Sequence, residues 1–156
     1  MIRLKEDIMK HKKAILITAI SVVAVLIASY AVWDLTCPNF DYYKTTWGIT
    51  LPQSLNFHKK YTVDIFDPRG NDCAYEVFKF TDKNSSFLSC MSSKQDENMQ
   101  KGVTDLLQRI RAAKGKYPNF SHSYEWKIIT KYNGDDKLYI IYDKESSLLY
   151  FAQDML

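Results

Sequence analysis

Residues 14–33 read AILITAISVVAVLIASYAVW, a run of 20 residues without a charged side chain. At about 1.5 Å of rise per residue, a helix of this length covers the roughly 30 Å hydrocarbon core of a bilayer. The hydroxyl groups of Thr18, Ser21 and Ser29 can donate to carbonyl groups of the preceding turn, so they are tolerated in lipid. The run therefore predicts one transmembrane helix over residues 14–33.

Two large aromatic residues, Tyr30 and Trp33, close this run. Amphipathic rings favour the headgroup level of a bilayer. Both residues are therefore predicted to lie at the membrane interface, and membrane lipid is the first predicted partner.

The basic residues that flank the run lie almost entirely on one side of it. Residues 34–53 contain only Lys44, whereas five basic residues precede the run: Arg3, Lys5, Lys10, Lys12 and Lys13. Because cytoplasmic flanks of membrane helices carry the excess of Lys and Arg, residues 1–13 are predicted to be a basic, cytoplasmic N-terminus. The chain is then a single-pass signal-anchor protein of the cell membrane with its C-terminal domain outside.

The formal net charge of +3 comes wholly from residues 1–13, which carry five basic and two acidic side chains. The rest of the chain is electrically balanced. A domain that neutralises nucleic-acid phosphates needs a surplus of basic side chains. The sequence therefore predicts no nucleic-acid partner.

A cleaved secretory signal is the competing interpretation of the N-terminal segment. Both kinds of segment have a basic start and an apolar run, and Ser29-Tyr30-Ala31 fits a small-x-small cleavage site. The 20 apolar positions exceed the roughly 7–15 that are typical of a signal core, which favours the anchor. Cys37 follows, but the residues before it lack the small side chains of a lipoprotein cleavage site.

Residues 34–60 are predicted to be a stalk and domain entry. Two prolines and a glycine interrupt any regular pattern there. Trp47, Ile49 and Leu51 alternate with smaller or polar residues, which indicates one short strand.

Residues 61–156 are predicted to form an extracytoplasmic domain that begins with a hairpin. Residues 61–65 alternate between apolar and polar side chains, residues 67–72 are rich in turn formers, and residues 73–80 return as a second strand. Residues 85–90 indicate a third strand.

A helical period follows the predicted strands. The apolar residues at spacing i, i+3, i+4 and i+7 are Val103, Leu106, Leu107 and Ile110. This spacing predicts one amphipathic helix over residues 96–113. Acidic Asp96 and Glu97 suit its first turn, and Gly115 suits its end.

Three strand-like runs close the chain, over residues 124–132, 137–142 and 148–153. Asn133-Gly134 lies between the first two, and this dipeptide between apolar runs is a strong hairpin signal. The order of strands, one helix and more strands predicts an α+β fold. A transmembrane helix precedes an antiparallel β-sheet domain, and one amphipathic helix packs on the sheet.

Five segments of the exported part share strand and turn residues with another set of proteins: WGITLP at 47–52, RGND at 69–72 running into AYEVFKF at 74–80, LYIIY at 138–142 and LYF at 149–151. In these segments the chain resembles small uncharacterised membrane-anchored proteins of Gram-positive bacteria. The resemblance implies a bacterial, surface-exposed accessory protein. It implies no activity and assigns no functional residue.

Cys73 and Cys90 are candidates for a disulfide, because an exported domain lies in a compartment that permits one. The predicted hairpin would place them one diagonal step apart on the same face, so bridging needs a register shift or a bulge. Two small buried thiols are the favoured interpretation, and a catalytic thiol is the third.

His58 and His122 follow the predicted membrane helix, and neither shows the ligand spacing of a metal site. Surface histidines explain both. No catalytic, cofactor-binding or metal-binding residue is therefore predicted, and no cofactor.

The predicted stalk is aromatic, with Tyr42, Tyr43 and Trp47 among few apolar neighbours. Exposed aromatic rings make good contacts with partner proteins, and buried ones pack on a domain or a membrane. The sequence leaves both interpretations open, so these three residues form a candidate partner surface.

A non-catalytic, membrane-tethered interaction module that binds an envelope protein, a membrane-complex partner or a toxin fits these features best. One alternative is an envelope hydrolase or ligand-binding protein with a cryptic pocket. Another is a structural subunit of a membrane assembly, packed through the small residues of its transmembrane helix, which include Ala19, Ala24 and Ala28.

Overall fold

A computed structural model describes residues 2–36, 39–55, 59–65 and 72–155, with backbone alone for residues 2–14 and 33–36. Cys37, His58, the side chain of Trp33 and most of the predicted turn at 67–72 lie outside the described residues. The chain divides into two compact units, Met1–Leu35 and Thr36–Leu156.

The first unit is one long helix, α1, which spans Ile2–Thr36. Its stretch Ile15–Val32 has a mean hydropathy of 2.6 and is long and apolar enough to cross a membrane. The hydroxyl of Ser21 donates to the carbonyl oxygen of Ile17 at 2.9 Å, and that of Ser29 donates to Val25 at 2.8 Å. The expected hydrogen bonds within the helix are therefore present at both serines.

The second unit is built on a five-stranded sheet in which all neighbouring strands are antiparallel. The strand order across the sheet is β1-β2-β5-β4-β3. The strands are β1 (Lys59–Ile65), β2 (Cys73–Lys79), β3 (Tyr124–Lys131), β4 (Asp136–Asp143) and β5 (Leu148–Asp154). The predicted α+β class, the first hairpin and the closing three-stranded meander are confirmed.

The β3–β4 turn forms where the Asn-Gly signal predicts it. Asn133 and Gly134 have φ values of 60° and 98°, the left-handed region that these residue types tolerate best. The turn also holds Tyr132 at φ 48°, so it is longer than a two-residue hairpin loop.

The helix α3 spans Glu97–Arg109 and packs on one face of the sheet. Asp96 caps its first turn by accepting from the backbone N–H of Met99 at 2.9 Å. It ends before the predicted boundary at 113, because Arg111 adopts φ 56° and the N–H of Ala112 turns back to the carbonyl of Leu107 at 3.0 Å. Arg111 occupies the left-handed position of this C-cap, which usually belongs to glycine, so Gly115 does not end the helix.

The predicted stalk is instead part of the domain. Phe40–Trp47 forms the helix α2, which Asn39 caps at its start and which ends at Gly48 with φ 68°. Tyr43, Trp47 and the following Leu51 are 2–3% exposed and pack on the face of the sheet opposite α3. The expected strand at 47–51 is therefore wrong, because Trp47 is the last residue of α2 and Gly48 ends the helix in the left-handed region.

The third predicted strand, at 85–90, is also wrong. Leu88–Cys90 forms a short 3-10 helix. Phe87 and Leu88 both pack against the α2 face of the sheet, and successive residues of a strand cannot point to the same face.

Candidate functional site

The candidate site is a pocket of about 170 Å³ on the α2 face of the sheet, near the edge strand β3. Its apolar lining comes from Ile49, Phe87, Met91 and Ile140. Its polar lining comes from Thr50, Cys90 and Lys127.

Three parts of the fold bring these residues together. Lys127 of β3 and Ile140 of β4 lie directly opposite each other in the sheet. Ile49 follows the C-cap of α2, and the 3-10 segment that replaces the expected third strand supplies Phe87 and Cys90. The pocket therefore depends on the two segments that sequence patterns misassign.

Lys127 and Cys90 form the polar rim of the pocket. The Nζ atom of Lys127 lies 3.4 Å from the Sγ atom of Cys90, and that thiol is also 3.4 Å from the carbonyl oxygen of Phe87. Within the described ranges, no carboxylate pairs with Lys127. The rim thus presents a positive charge beside an apolar hollow and an exposed thiol.

The backbone edge of β3 lies beside this pocket. Trp126 exchanges two backbone hydrogen bonds with Ser92, at 2.8 and 2.9 Å, so its N–H and C=O groups face away from β4. Because the direction of these groups alternates along an antiparallel strand, the backbones of Ile128 and Thr130 face the same outer side. No backbone partner meets them there among residues that the structure describes.

The candidate disulfide between Cys73 and Cys90 is not formed, since both thiols are free, and the favoured interpretation of two buried thiols holds for Cys73 alone, because Cys90 is exposed. Cys73 is buried in the apolar cluster between α3 and the sheet, whereas Cys90 is exposed at the pocket on the opposite, α2 face of the sheet. The diagonal pairing fails because residues 85–90 do not form the strand that it requires. Burial and the neighbouring Asp154 raise the pKa of the Cys73 thiol, with Arg109 opposing them.

The aromatic residues of the predicted stalk are directed into the sheet. Tyr43 and Trp47 are each 3% exposed, so they are core residues and not a partner surface. The indole Nε1 of Trp47 and the hydroxyl of Tyr42 both donate to Oε1 of Gln153, each at 2.7 Å. Partly buried Tyr42 therefore also anchors α2.

A partly buried ionic contact also holds α2, at Tyr43. The Tyr43 hydroxyl donates to Oε2 of Glu76 at 2.7 Å, and Lys59 pairs with Oε1 of the same carboxylate at 2.8 Å. Burial, followed by the charge of Glu76, raises the pKa of Tyr43 well above its usual value. The phenol therefore stays protonated and acts as a donor at neutral pH.

His122 forms a contact that sequence spacing does not reveal. Its Nδ1 atom lies 2.8 Å from Oδ2 of Asp143, a carboxyl group that is only 2% exposed. The other carboxylate oxygen of Asp143, Oδ1, accepts hydrogen bonds from the backbone N–H groups of Glu145 and Ser146 in the β4–β5 turn, at 2.9 and 3.1 Å. His122 thus ties the loop before β3 to this turn.

The pKa values of this pair move apart. The hydrogen bond to Asp143 raises the pKa of His122. Burial works to raise the pKa of Asp143, but hydrogen bonds from Ser146, His122 and Glu145 outweigh it and lower that pKa. Both shifts favour the charged pair. The second ring nitrogen of His122, Nε2, lies 3.6 Å from Oε2 of Glu145. Both nitrogens of His122 therefore contact the β4–β5 turn and help to hold it.

Over the described ranges, no three His, Cys, Asp or Glu side chains lie together as a metal site would require. The titratable side chains that line the pocket are Cys90 and Lys127. In comparisons with known proteins, no family model, no curated protein and no solved structure matches the chain.

Proposed function

We propose that this chain is a membrane-tethered interaction module, in which α1 spans the cell membrane and the sheet domain binds a protein partner outside. The observation that carries the proposal is the apolar stretch Ile15–Val32, none of which is buried in the structure. Eighteen consecutive exposed positions of this kind are stable in lipid and unfavourable in water.

The orientation rests on the basic residues before α1. Their excess favours a cytoplasmic N-terminus and an exported domain. Only residues 37 and 38 separate the end of α1 at Thr36 from Asn39, the N-cap of α2. So short a connection tethers the domain to the membrane, and the resemblance to surface-exposed accessory proteins supports the same proposal.

The chemistry of the domain supports binding more than catalysis. Four titratable groups in close contact hold the fold together: Tyr43 and Glu76 anchor α2, and His122 and Asp143 hold a turn. The accessible pocket is mainly apolar, which suits a buried side chain of a partner.

Cysteine labelling tests the topology with residues that the structure already supplies. In a Cys37→Ser background, the exposed Cys90 should react with a membrane-impermeant maleimide on intact cells, while the buried Cys73 should stay unlabelled until the protein unfolds. A Lys5→Cys reporter in a Cys37→Ser, Cys90→Ser background should react only after lysis. The proposed orientation would be contradicted if Lys5→Cys were labelled on intact cells while Cys90 of the Cys37→Ser protein were not.

Crosslinking of the full-length protein in its native membrane tests the partner. Residues 14–33 are replaced by an unrelated apolar anchor of equal length, and the crosslinked proteins are compared with those of the wild type. The proposal expects the partner to be retained, because it binds the sheet domain. Loss of the partner would favour the structural subunit that packs through its membrane helix.

One observation favours a second candidate, a hydrolase that uses Cys90 as its nucleophile. The exposed thiol lies 3.4 Å from the Nζ atom of Lys127 at the mouth of the pocket, so a nucleophile and a hydrogen-bond donor adjoin the apolar hollow. The test is hydrolysis of a thioester by the full-length protein, measured through the reaction of the released thiol with a chromogenic reagent. Activity that disappears in Cys90→Ala would establish the hydrolase, and equal rates in both proteins would exclude this role for Cys90.

A further inference from the structure

The outer edge of β3 offers an incomplete hydrogen-bonding surface. Ser92 pairs with Trp126 at one point of this edge and shows that the edge accepts an extended backbone. Beyond that bridge, the N–H and C=O groups of Ile128 and Thr130 face outward by the alternation of the strand. None of the described segments supplies backbone hydrogen bonds to them, and Thr130 is exposed, so these groups are available to pair with another strand.

The pocket lies at the same edge and on a defined face of the sheet. Lys127 lines it from β3, and its position in the strand places the side chain on the α2 face together with Ile129. A strand added beside β3 would direct alternate side chains towards that face. An apolar side chain in the pocket and a charged side chain near Lys127 would then be two positions apart.

We propose that β3 accepts an extended segment of a partner protein as a sixth strand of the sheet. One apolar side chain of that segment fills the pocket, and an acidic side chain two positions away pairs with Lys127. Main-chain hydrogen bonds to Ile128 and Thr130 supply affinity, while the pocket and the lysine supply specificity. This inference rests on the proposed function and names the partner class as an apolar-x-acidic segment.

Charge argues for a different protein rather than a second copy of this chain. If two copies paired β3 with β3 about the free edge, Lys127 of one copy would lie opposite Lys131 of the other. Like charges directly opposite each other destabilise a pair of strands. An acidic segment instead neutralises Lys127, which has no carboxylate partner in the described structure.

The test uses full-length protein in lipid nanodiscs and a displayed library of random nonapeptides. The wild type should enrich sequences in which an apolar residue and Asp or Glu stand two positions apart. The Lys127→Glu variant should bind those peptides at least about tenfold more weakly and should enrich apolar-x-basic sequences instead. The matched control Lys114→Glu changes an exposed lysine after α3 and should leave the selection unchanged.

A second variant tests the backbone contacts. Thr130→Pro removes an outward N–H without removing a hydrogen bond between β3 and β4, and proline is tolerated at such an edge position. It should weaken binding of the enriched peptide by about tenfold. N-methylation of every second amide of the peptide should also weaken binding, but only when the methylated amides are those that face β3. Methylation of the other set of amides should leave binding unchanged, and this measurement requires no protein variant.

Equal binding of the enriched peptides to the wild type, Lys127→Glu and Thr130→Pro would overturn the inference. The proposed function would survive that result, because a peptide site would exist elsewhere on the domain. A selection without any enriched pattern would also overturn the inference. The proposed function is judged separately by the labelling and crosslinking of the intact membrane, neither of which changes a residue of β3.

Discussion

Replacement of Trp47 by alanine distinguishes a packed α2 from a solvated stalk. Trp47 is 3% exposed, its indole N–H donates to Gln153 at 2.7 Å, and the Nζ atom of Lys131 lies 5.9 Å from its ring centroid. A buried tryptophan removes roughly 200 Å² from water, which at about 25 cal/mol per Å² corresponds to about 5 kcal/mol. Alanine retains a small part of that burial, and large-to-small aromatic replacements in protein cores cost about 3–5 kcal/mol.

The assay is urea unfolding of the full-length protein in a mild detergent, followed by circular dichroism. A loss of about 4 kcal/mol, with a urea dependence of about 2 kcal/mol/M, lowers the midpoint by about 2 M. Tyr132→Ala is the matched control, because this aromatic residue is 74% exposed and its removal should change stability by less than about 0.5 kcal/mol. Equal midpoints for Trp47→Ala and Tyr132→Ala would refute the placement of α2 in the core.

Three further predictions concern the polar contacts and one helix end. Tyr43→Phe removes the donor to Glu76 and should lower stability by about 1.5–3 kcal/mol in the same urea assay, while Tyr43→Trp, which overfills the site, should fare worse. Arg111→Gly should raise stability by about 0.5–1 kcal/mol, since glycine adopts the left-handed C-cap without strain, and Arg111→Val should lower it. Because the pKa of His122 is raised, the stabilising effect of its charge is complete below about pH 6.5 and is lost as the pH rises through the folded pKa. Because the pKa of Asp143 is lowered, its carboxylate stabilises the fold above about pH 4. The stability difference between the wild type and His122→Asn should therefore shrink between about pH 6 and pH 9, and a constant difference across that range would contradict the ion pair.

The parts of the fold with strong local signals could be predicted from the sequence. Alternation located β1, the Asn-Gly turn located the β3–β4 hairpin, and the spacing of four apolar residues located α3. Each of these signals arises from residues close together in the chain. Local patterning was therefore sufficient to identify the class of the domain.

Residues 39–55 show why the remaining structure was harder to predict. Trp47, Ile49 and Leu51 satisfy a strand pattern, while Tyr43 and Trp47 have the i, i+4 spacing of a helix, and the two patterns share Trp47. The helical pattern prevails because Asn39 supplies an N-cap and Gly48 a left-handed C-cap. Those two residues were a local signal that could have identified α2.

The candidate site carries no comparable signal in the sequence. Ile49, Cys90 and Lys127 converge only because β3 and β4 pair and two irregular segments fold over the same face. The spacing between such residues is set by loop lengths and has no period. The pocket therefore required the structure.

The two lysines Lys127 and Lys131 of the edge strand β3 differ in what they contact, and this difference bears on how the edge is used. Lysines on edge strands commonly prevent pairing with other chains, so both could be regarded as protective. Lys131 donates to the carbonyl oxygen of Thr46 and lies over the ring of Trp47, which makes it part of the α2 anchor. Lys127 contacts the thiol of Cys90 at the pocket rim and has no anionic partner in the described ranges. A purely protective lysine would need no apolar hollow beside it, so the position of Lys127 favours recognition of an acidic segment.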